Sequence, residues 1–347
     1  MTDDAYAPEG VSFVVPVRNG ARWLAAVLDA ALAEIGNRPA EVLIVDDGST
    51  DGTPTVLASY HADHRVRVIA GPGRGAAAAL NLGIRSARYD VICQIDQDVV
   101  LEPGWLARVL EPLAEPGVAA SQGWYATPRD GGLCARVMGL DLERRYARLR
   151  GRYLDHVCTG NTAYRAAALH AVALFDESLG YGYDNDLSYR LRAAGYRLAF
   201  ARQARSVHRW REGIVAYLRQ QYGVGYGRLD VVGKHPGRFR GDDVSGPGMI
   251  AHAALTFTGI VLLLLACVSA LTGGPAAALA IGAAVILLAL ALERAVAGIH
   301  AARAARDVAG LCFPVLHALR DVAWAAAVSV WTLRRLAGQP RQPAHSM

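Results

Sequence analysis

The first hundred residues alternate between short apolar runs and segments with helical spacing. Val11–Val17 (VSFVVPV) is a short apolar run that stops at Arg18-Asn19-Gly20, and Ala21–Ile35 has the period of a helix. Glu41–Asp47 (EVLIVDD) predicts a second strand, Gly48–Gly52 a turn and Thr53–Tyr60 a short helix. Val66–Ala70 predicts a third strand, Gly75–Arg88 a helix, and Val91–Ile95 a fourth strand running into Asp96. Strands that read as continuous apolar runs between helices imply a parallel sheet covered on both faces. The expected fold class is therefore α/β, with a Rossmann-like, mostly parallel sheet. Ligands of such sheets bind beyond the carboxyl ends of the strands. Asn19, Asp46, Asp47, Asp96 and Asp98 all fall there, reached from three strands.

From about 118 to 210 the pattern is mixed. It predicts a helix at Leu133–Arg150, a Gly-Asn segment at Cys158–Arg165, a helix opened by the acids of YGYDNDLSYRLRAAGYRL (Tyr181–Leu198), and a strand at Tyr196–Arg202. Acids at a helix start cap free N–H groups and suit the macrodipole; Asp186 or Asn185 is the expected cap. Residues 211–226 predict another helix, followed by a basic, Gly/Pro-rich stretch at Arg228–Gly241.

The pattern then changes character. Ile250–Leu271 holds no charged residue over about 22 positions, enough to cross a hydrocarbon core. Thr272-Gly273-Gly274-Pro275 is a tight turn, and Ala276–Leu292 is a second uncharged run of about 17 residues. The two predict a membrane hairpin. Lys234, Arg238 and Arg240 precede it and Arg294, Arg303 and Arg306 follow it, so both flanks are expected on the cytoplasmic side. A third apolar segment, Ala309–Leu333, carries Arg320 and Asp321 near its centre. Charges at that depth are costly. The segment spans if the pair is neutralised against other helices, or lies along the interface with Trp324 and Trp331 at headgroup level. The expected domains are 1–227 (catalytic), 228–248 (basic juxtamembrane linker), 249–336 (membrane region of two or three helices) and 337–347 (tail).

Composition agrees with this division. Hydrophobic residues make up 53% of the 347, and the excess lies after about residue 245. The net charge is +5, with Lys234 the only lysine; high Arg beside high Ala is most simply a genomic bias, although a basic chain also favours phosphates or an acidic lipid surface. The five cysteines are far apart, so neither a disulfide framework nor a zinc site is expected. The N-terminal stretch MTDDAYAPEG is acidic and lacks the apolar run of a signal peptide.

Three motifs carry chemistry. In VDDGSTDGT (Val45–Thr53), Ser49 or Asp51 serves as a helix cap, but a cap does not explain two adjacent carboxylates at a strand end. A carboxylate there accepts from a nucleobase N–H or a ribose hydroxyl. In QIDQDVV (Gln94–Val100), Asp96 and Asp98 alternate at the mouth of a buried strand, where they can hold Mg²⁺ or Mn²⁺ together with phosphate oxygens. GPGRG (Gly71–Gly75) offers backbone N–H groups and Arg74 to an anion, or is simply a flexible turn. It lacks the Gly-Lys-Ser/Thr ending of a P-loop.

With VVPVRN (Val14–Asn19), VDDGSTDGT, the D-x-D of IDQDV, TGNTAYR (Thr159–Arg165), FDESL (Phe175–Leu179) and YDNDLSYRLRAAGYRL, the chain resembles the family 2 glycosyltransferases of the GT-A fold. The pieces stand in family order over roughly residues 11–210, and the apolar tail is similar to the membrane-anchored, succinoglycan-synthesis-type branch. The resemblance implies an inverting, metal-dependent transfer from a nucleotide-diphosphate sugar (a UDP- or GDP-sugar) to a lipid-linked or saccharide acceptor. It places the enzyme in the plasma membrane as a multi-pass protein with a cytoplasmic catalytic domain, in contact with membrane lipids and not with nucleic acid.

The resemblance also assigns roles. Pro16, Val17, Asn19, Asp46, Asp47, Ser49, Arg74 and Asp96 would bind the donor, and Asp96, Asp98 and His208 the metal. Asp184 aligns with the family's catalytic base, and Tyr183 stands where the family has Glu. An aspartate within reach of an acceptor hydroxyl can take its proton as attack proceeds. Arg219–Val224 departs from the Q-x-x-R-W of processive relatives, which argues against a polymerase that threads its product. Trp124 and Tyr125 would stack on a sugar ring or pack in the core. A nucleotidyltransferase of related fold would want a Gly-rich, Lys/Arg-bearing loop after the first strand, which Pro16–Gly20 is not. A non-catalytic scaffold would be expected to lack Asp184 or the Asp96/Asp98 pair.

Overall fold

The computed structural model describes residues 8–339; the acidic N-terminal stretch and most of the expected tail lie outside that range. Its elements are β1 (Val11–Val17), α1 (Leu24–Ile35), β2 (Ala40–Asp46), α2 (Thr53–Ala58), β3 (Val66–Ala70), α3 (Ala76–Ser86), β4 (Val91–Ile95), β5 (Val99–Leu101), α4 (Trp105–Leu110), β6 (Val118–Ala126), α5 (Leu133–Arg148), β7 (Asn161–Arg165), α6 (Ala166–Ala171), α7 (Tyr183–Ala193), β8 (Arg197–His208), α8 (Ile214–Lys234), α9 (Pro247–Thr272), α10 (Ala276–Ala305) and α11 (Phe313–Leu336). The described residues fall into two compact units, one of 8–128 with 146–210, the other of 129–145 with 211–339.

The first unit is built on an eight-stranded sheet of order β3-β2-β1-β4-β7-β6-β8-β5. The β3-β2-β1-β4 half is parallel, as the apolar runs predict. Every residue of β4 is buried, as is all of β1 but Pro16, because helices cover both faces. The other half is mixed. β7 runs antiparallel between β4 and β6, β6 and β8 are parallel, and β5 pairs antiparallel with the end of β8. The predicted strand at 196–202 continues to His208, since its second half finds the three residues of β5 as partner. Glu41 is buried within β2 and is kept there by Arg67 (2.6 Å), the Ser12 hydroxyl (2.8 Å) and the Arg88 amide (2.6 Å).

The second unit is helical. Cys134, Val137 and Leu140 of α5 share an apolar core with Tyr217, Ala297, Ala301, Phe313 and Leu316. The helix expected at 211–226 runs on to Lys234, through the basic stretch. Its glycines admit the neighbour: a Cβ on Gly225 would stand 3.1 Å from the Trp324 backbone. Three segments, 247–272, 276–305 and 308–336, are long and apolar enough to cross a membrane. α9 and α10 bury small residues such as Ala253, Gly259, Ala266 and Ala283 and leave Leu264, Leu271, Leu288 and Leu292 exposed, the inside-out pattern of helices in lipid. The charged centre of the third segment is buried: Arg320 and Asp321 pair at 2.8 Å and lie beside His317 and Asp141. Trp324 and Trp331 turn toward α8, donating to Gln221 (3.4 Å) and Asp230 (3.0 Å).

Candidate active site

The site lies in the first unit, at the carboxyl edge of β2-β1-β4. Val17 is the register partner of Asp46, which sets the last residues of β1 and β2 side by side. Beyond β1 the chain turns through Asn19 in a left-handed conformation (φ 53°), which Asn tolerates better than most residues. Asn19 stitches the two strand ends together: its N–H donates to the Ser49 hydroxyl (2.9 Å) and its side-chain oxygen accepts the Thr50 amide (2.8 Å). The Arg18 backbone exchanges two bonds with the Gln97 side chain (2.8 and 3.1 Å), tying the same turn to the loop after β4.

The two acids of VDDG have different surroundings. Asp47 is buried, and its oxygens accept the amides of Gly73 and Gly75, both at 2.7 Å. It therefore shapes the Gly71–Gly75 loop, whose Gly73 and Gly75 take positive φ. Asp46 is half-buried at the sheet edge and accepts only the Ser49 amide (3.0 Å) among the hydrogen bonds found for its carboxylate. Asp51 accepts the Thr53 amide and hydroxyl and leads into α2. Arg74 is exposed and pairs with Glu177 at 3.1 Å.

Asp96, Asp98, Asp184 and His208 come from three separate parts of the chain. β5 and β8 join two of them: Val99 opposes His208, the Arg209 amide donates to the Asp98 carbonyl (2.8 Å), and His208 Nε2 lies 3.4 Å from Asp98 Oδ1. The His208 ring leans on Trp210 (3.7 Å) and Tyr125 (5.1 Å), and its buried Nδ1 has no hydrogen-bond partner. Asp96 is raised to about 6, first by burial and then by the charge of Asp98; Asp184 adds to the rise, while His208 and a bond from Gln94 oppose it. Burial, and then the charges of Asp96 and Asp184, push the Tyr183 phenol upward as well. Asp184 thus sits within electrostatic reach of the Asp96 carboxylate.

The opening of α7 corrects one expectation. Gly182, at φ 76°, is the N-cap, so neither Asp186 nor Asn185 stands at the cap position. Asp184 and Asp186 both lie in the first turn but do different work. Asp186 is fully buried and receives Arg190 Nε and Nη2 (2.8 and 2.7 Å), so it is an internal ion pair and not a cap. Asp184 is only half-buried and accepts the Asn185 amide (2.9 Å). Tyr125 donates to the Thr159 carbonyl (2.7 Å) and belongs to the core, while Trp124 is half-buried and packs against Phe200 and Tyr146.

Sequence reasoning passed over Gln94, Gln122 and Thr162, which bond the Cys158–Gly160 turn beside Asp96. The readable signal was a glutamine inside each of two otherwise apolar strands, VICQI and VAASQGWYA.

Among the described residues no three His, Cys, Asp or Glu side chains converge to hold an ion by themselves. The available donors are the carboxylates of Asp96 and Asp98 and the imidazole of His208, of which Asp96 is raised first by burial and then by the charge of Asp98. That set fits Mg²⁺ or Mn²⁺ completed by ligand oxygens.

Residues 12–173 match the profile of glycosyl transferase family 2. The chain is 28% identical over 272 residues to the pre-mycofactocin glycosyltransferase of Mycobacterium tuberculosis, covering 76% of this chain and 56% of that one. It is 27% identical over 246 residues to the succinoglycan biosynthesis protein ExoA of Rhizobium meliloti, covering 68% and 74%. This chain thus spans little more than half the length of the mycobacterial relative. The mannosyltransferase PcManGT of Pyrobaculum calidifontis, solved with GDP-Man and Mn²⁺, shares the fold: TM-score 0.59 at 21% identity, over 96% of this chain and 89% of that one.

Proposed function

From the match of residues 12–173 to glycosyl transferase family 2, we propose that the chain belongs to that family and moves a sugar, with inversion, from a nucleotide-diphosphate donor to a lipid-linked or saccharide-precursor acceptor at the cytoplasmic membrane face. The observation that carries this reading is the gathering of Asp96, Asp98, Asp184 and His208 at the carboxyl edge of the sheet. The bound GDP-Man and Mn²⁺ of the archaeal mannosyltransferase support the donor class and the metal, and the rhizobial relative's role in succinoglycan biosynthesis supports a saccharide acceptor.

Asp46 holds the nucleoside, helped by Asn19, Ser49 and the chain at Pro16 and Val17, while Asp47 fixes the glycine loop from below. Arg74 lies on that loop and meets the diphosphate by releasing Glu177. Asp96, Asp98 and His208 would hold a divalent cation, which when bound offsets the charge growing on the departing diphosphate. Asp184 takes the proton of the acceptor hydroxyl as it attacks the anomeric carbon. A single base opposite the leaving group gives one displacement and inverted stereochemistry. Tyr183, in place of the family's Glu, keeps a neutral phenol beside Asp184. The three apolar segments and their flanking arginines attach the chain to a membrane.

The test is release of nucleoside diphosphate from a panel of UDP- and GDP-sugars by membranes containing the protein, with lipid extraction of the labelled product. Asp184→Asn is expected to abolish transfer and keep donor binding. Turnover by that variant would remove Asp184 as the base. A chain that binds and transfers none of the donors would end the reading.

A further inference from the structure

Three polar side chains cross the sheet in one row. Gln94 of β4 and Gln122 of β6 are both register partners of Thr162 on β7, so all three leave the sheet on the same face. All are buried, at 1%, 0% and 0% exposure, and polar groups persist there only when bonded. All three grip one turn. Gln94 Oε1 accepts the Gly160 amide, Thr162 Oγ1 donates to the Cys158 carbonyl (2.7 Å), and Gln122 Oε1 accepts the Cys158 amide (2.7 Å). The far end of Gln122 donates to the Tyr146 hydroxyl (2.7 Å). The far end of Gln94 donates to Asp96 Oδ1 (2.9 Å).

The turn in its turn presses on Asp96. The Asp96 amide donates to the Gly160 carbonyl (3.3 Å). Gly160 has φ 92°, and a Cβ there would run into the Asp96 carboxylate.

We propose that Gln94 is a positioning residue for the transfer. With one amide it fixes both the Asp96 carboxylate and the glycine turn behind it, and so presents Asp96 to the cation and diphosphate in one orientation. Thr162 and Gln122 hold the turn alone. An aliphatic side chain, the usual occupant of a buried strand, would leave the Gly160 N–H without an acceptor and Asp96 free to rotate. The proposal rests on Asp96 being a ligand of the metal diphosphate, as read above.

The experiment titrates Mn²⁺ into the full chain in detergent with a fluorescent UDP or GDP analogue and reads nucleotide binding, alongside the melting temperature. Gln94→Met is expected to raise the half-saturating Mn²⁺ about tenfold, the scale of losing a bond to a charged group. Thr162→Val loses a bond to the turn but none to Asp96, and is expected to leave the Mn²⁺ midpoint within about twofold of wild type. An unmoved midpoint in Gln94→Met, or an equal rise in Thr162→Val, overturns the proposal. Where Gln94→Met does not fold, Gln94→Asn, with its amide one methylene short, carries the same expectation and the same refutation. Wild-type protein that binds neither nucleotide with Mn²⁺ overturns the glycosyltransferase reading itself. Wild type that binds nucleotide independently of Mn²⁺ overturns the positioning role only.

Discussion

Asp46 and Asp47 are neighbours in sequence, yet replacing them should break different things. Asp47→Ala deletes two charge-assisted hydrogen bonds, to Gly73 and Gly75, each 2.7 Å long and anchored on a buried carboxylate. Each such bond contributes about 1.5–3 kcal/mol. Water reaches part of the loop once it loosens, so the expected loss is about 3–4 kcal/mol, near the lower end of the sum. For a unit of this size that lowers the melting temperature by roughly 10 °C. Asp46→Ala deletes one bond, to Ser49 at 3.0 Å on a half-buried group, and is expected to cost about 1 kcal/mol. Its effect should fall on donor affinity, by tenfold or more if Asp46 meets the nucleoside through a bond to its charge. Thermal unfolding of the purified full chain, followed by tryptophan fluorescence, and nucleotide titration of the same samples separate the two. Equal melting losses in the two variants, or an unchanged melting temperature in Asp47→Ala, would refute the division of labour.

Three further outcomes can be measured directly. Gly160→Ala forces a methyl into the Asp96 carboxylate at φ 92°, so turnover should fall at least a hundredfold while the protein stays folded, about 3 kcal/mol of lost transition-state stabilisation; near-normal activity would show that the close approach is dispensable. Arg190→Met leaves Asp186 buried without its ion pair and should cost about 3–5 kcal/mol, read as a loss of expression or a fall in melting temperature. Gly225→Val pushes a branched side chain against Trp324 and should destabilise the α8–α11 contact by about 1–3 kcal/mol, seen as faster proteolysis within 211–246.

The parallel half of the sheet could be read in the sequence because β1, β2 and β4 are buried on both faces, and a short, mostly apolar run suits a strand with no solvent side. β5 could not: three residues carry no periodicity, and they become a strand only because the end of β8 lies alongside. The first two long apolar helices were legible by the length of their uncharged runs, whereas the third depended on where Arg320 and Asp321 find partners, a matter of contacts across helices. At the site, residue types at strand ends were enough to nominate Asp46, Asp96, Asp98 and Asp184. They did not distinguish Asp46 from Asp47, nor foresee that Asp186 belongs to Arg190, because each distinction lies in which loop or helix turn packs behind the carboxylate.

The three-residue strand β5 also sets an order on how the protein comes into being. Asp96 and Asp98 are made early, but the strand that holds their loop opposite His208 is the last of the sheet to be synthesised. A nascent chain of any length short of that point carries both carboxylates with no imidazole beside them and no β8 to pair with β5. Domains fold as units as they are made, so this sheet can be completed only once β8 has been synthesised, just ahead of α8. The order of synthesis therefore brings His208 to Asp98 only after every other strand of the sheet has been made.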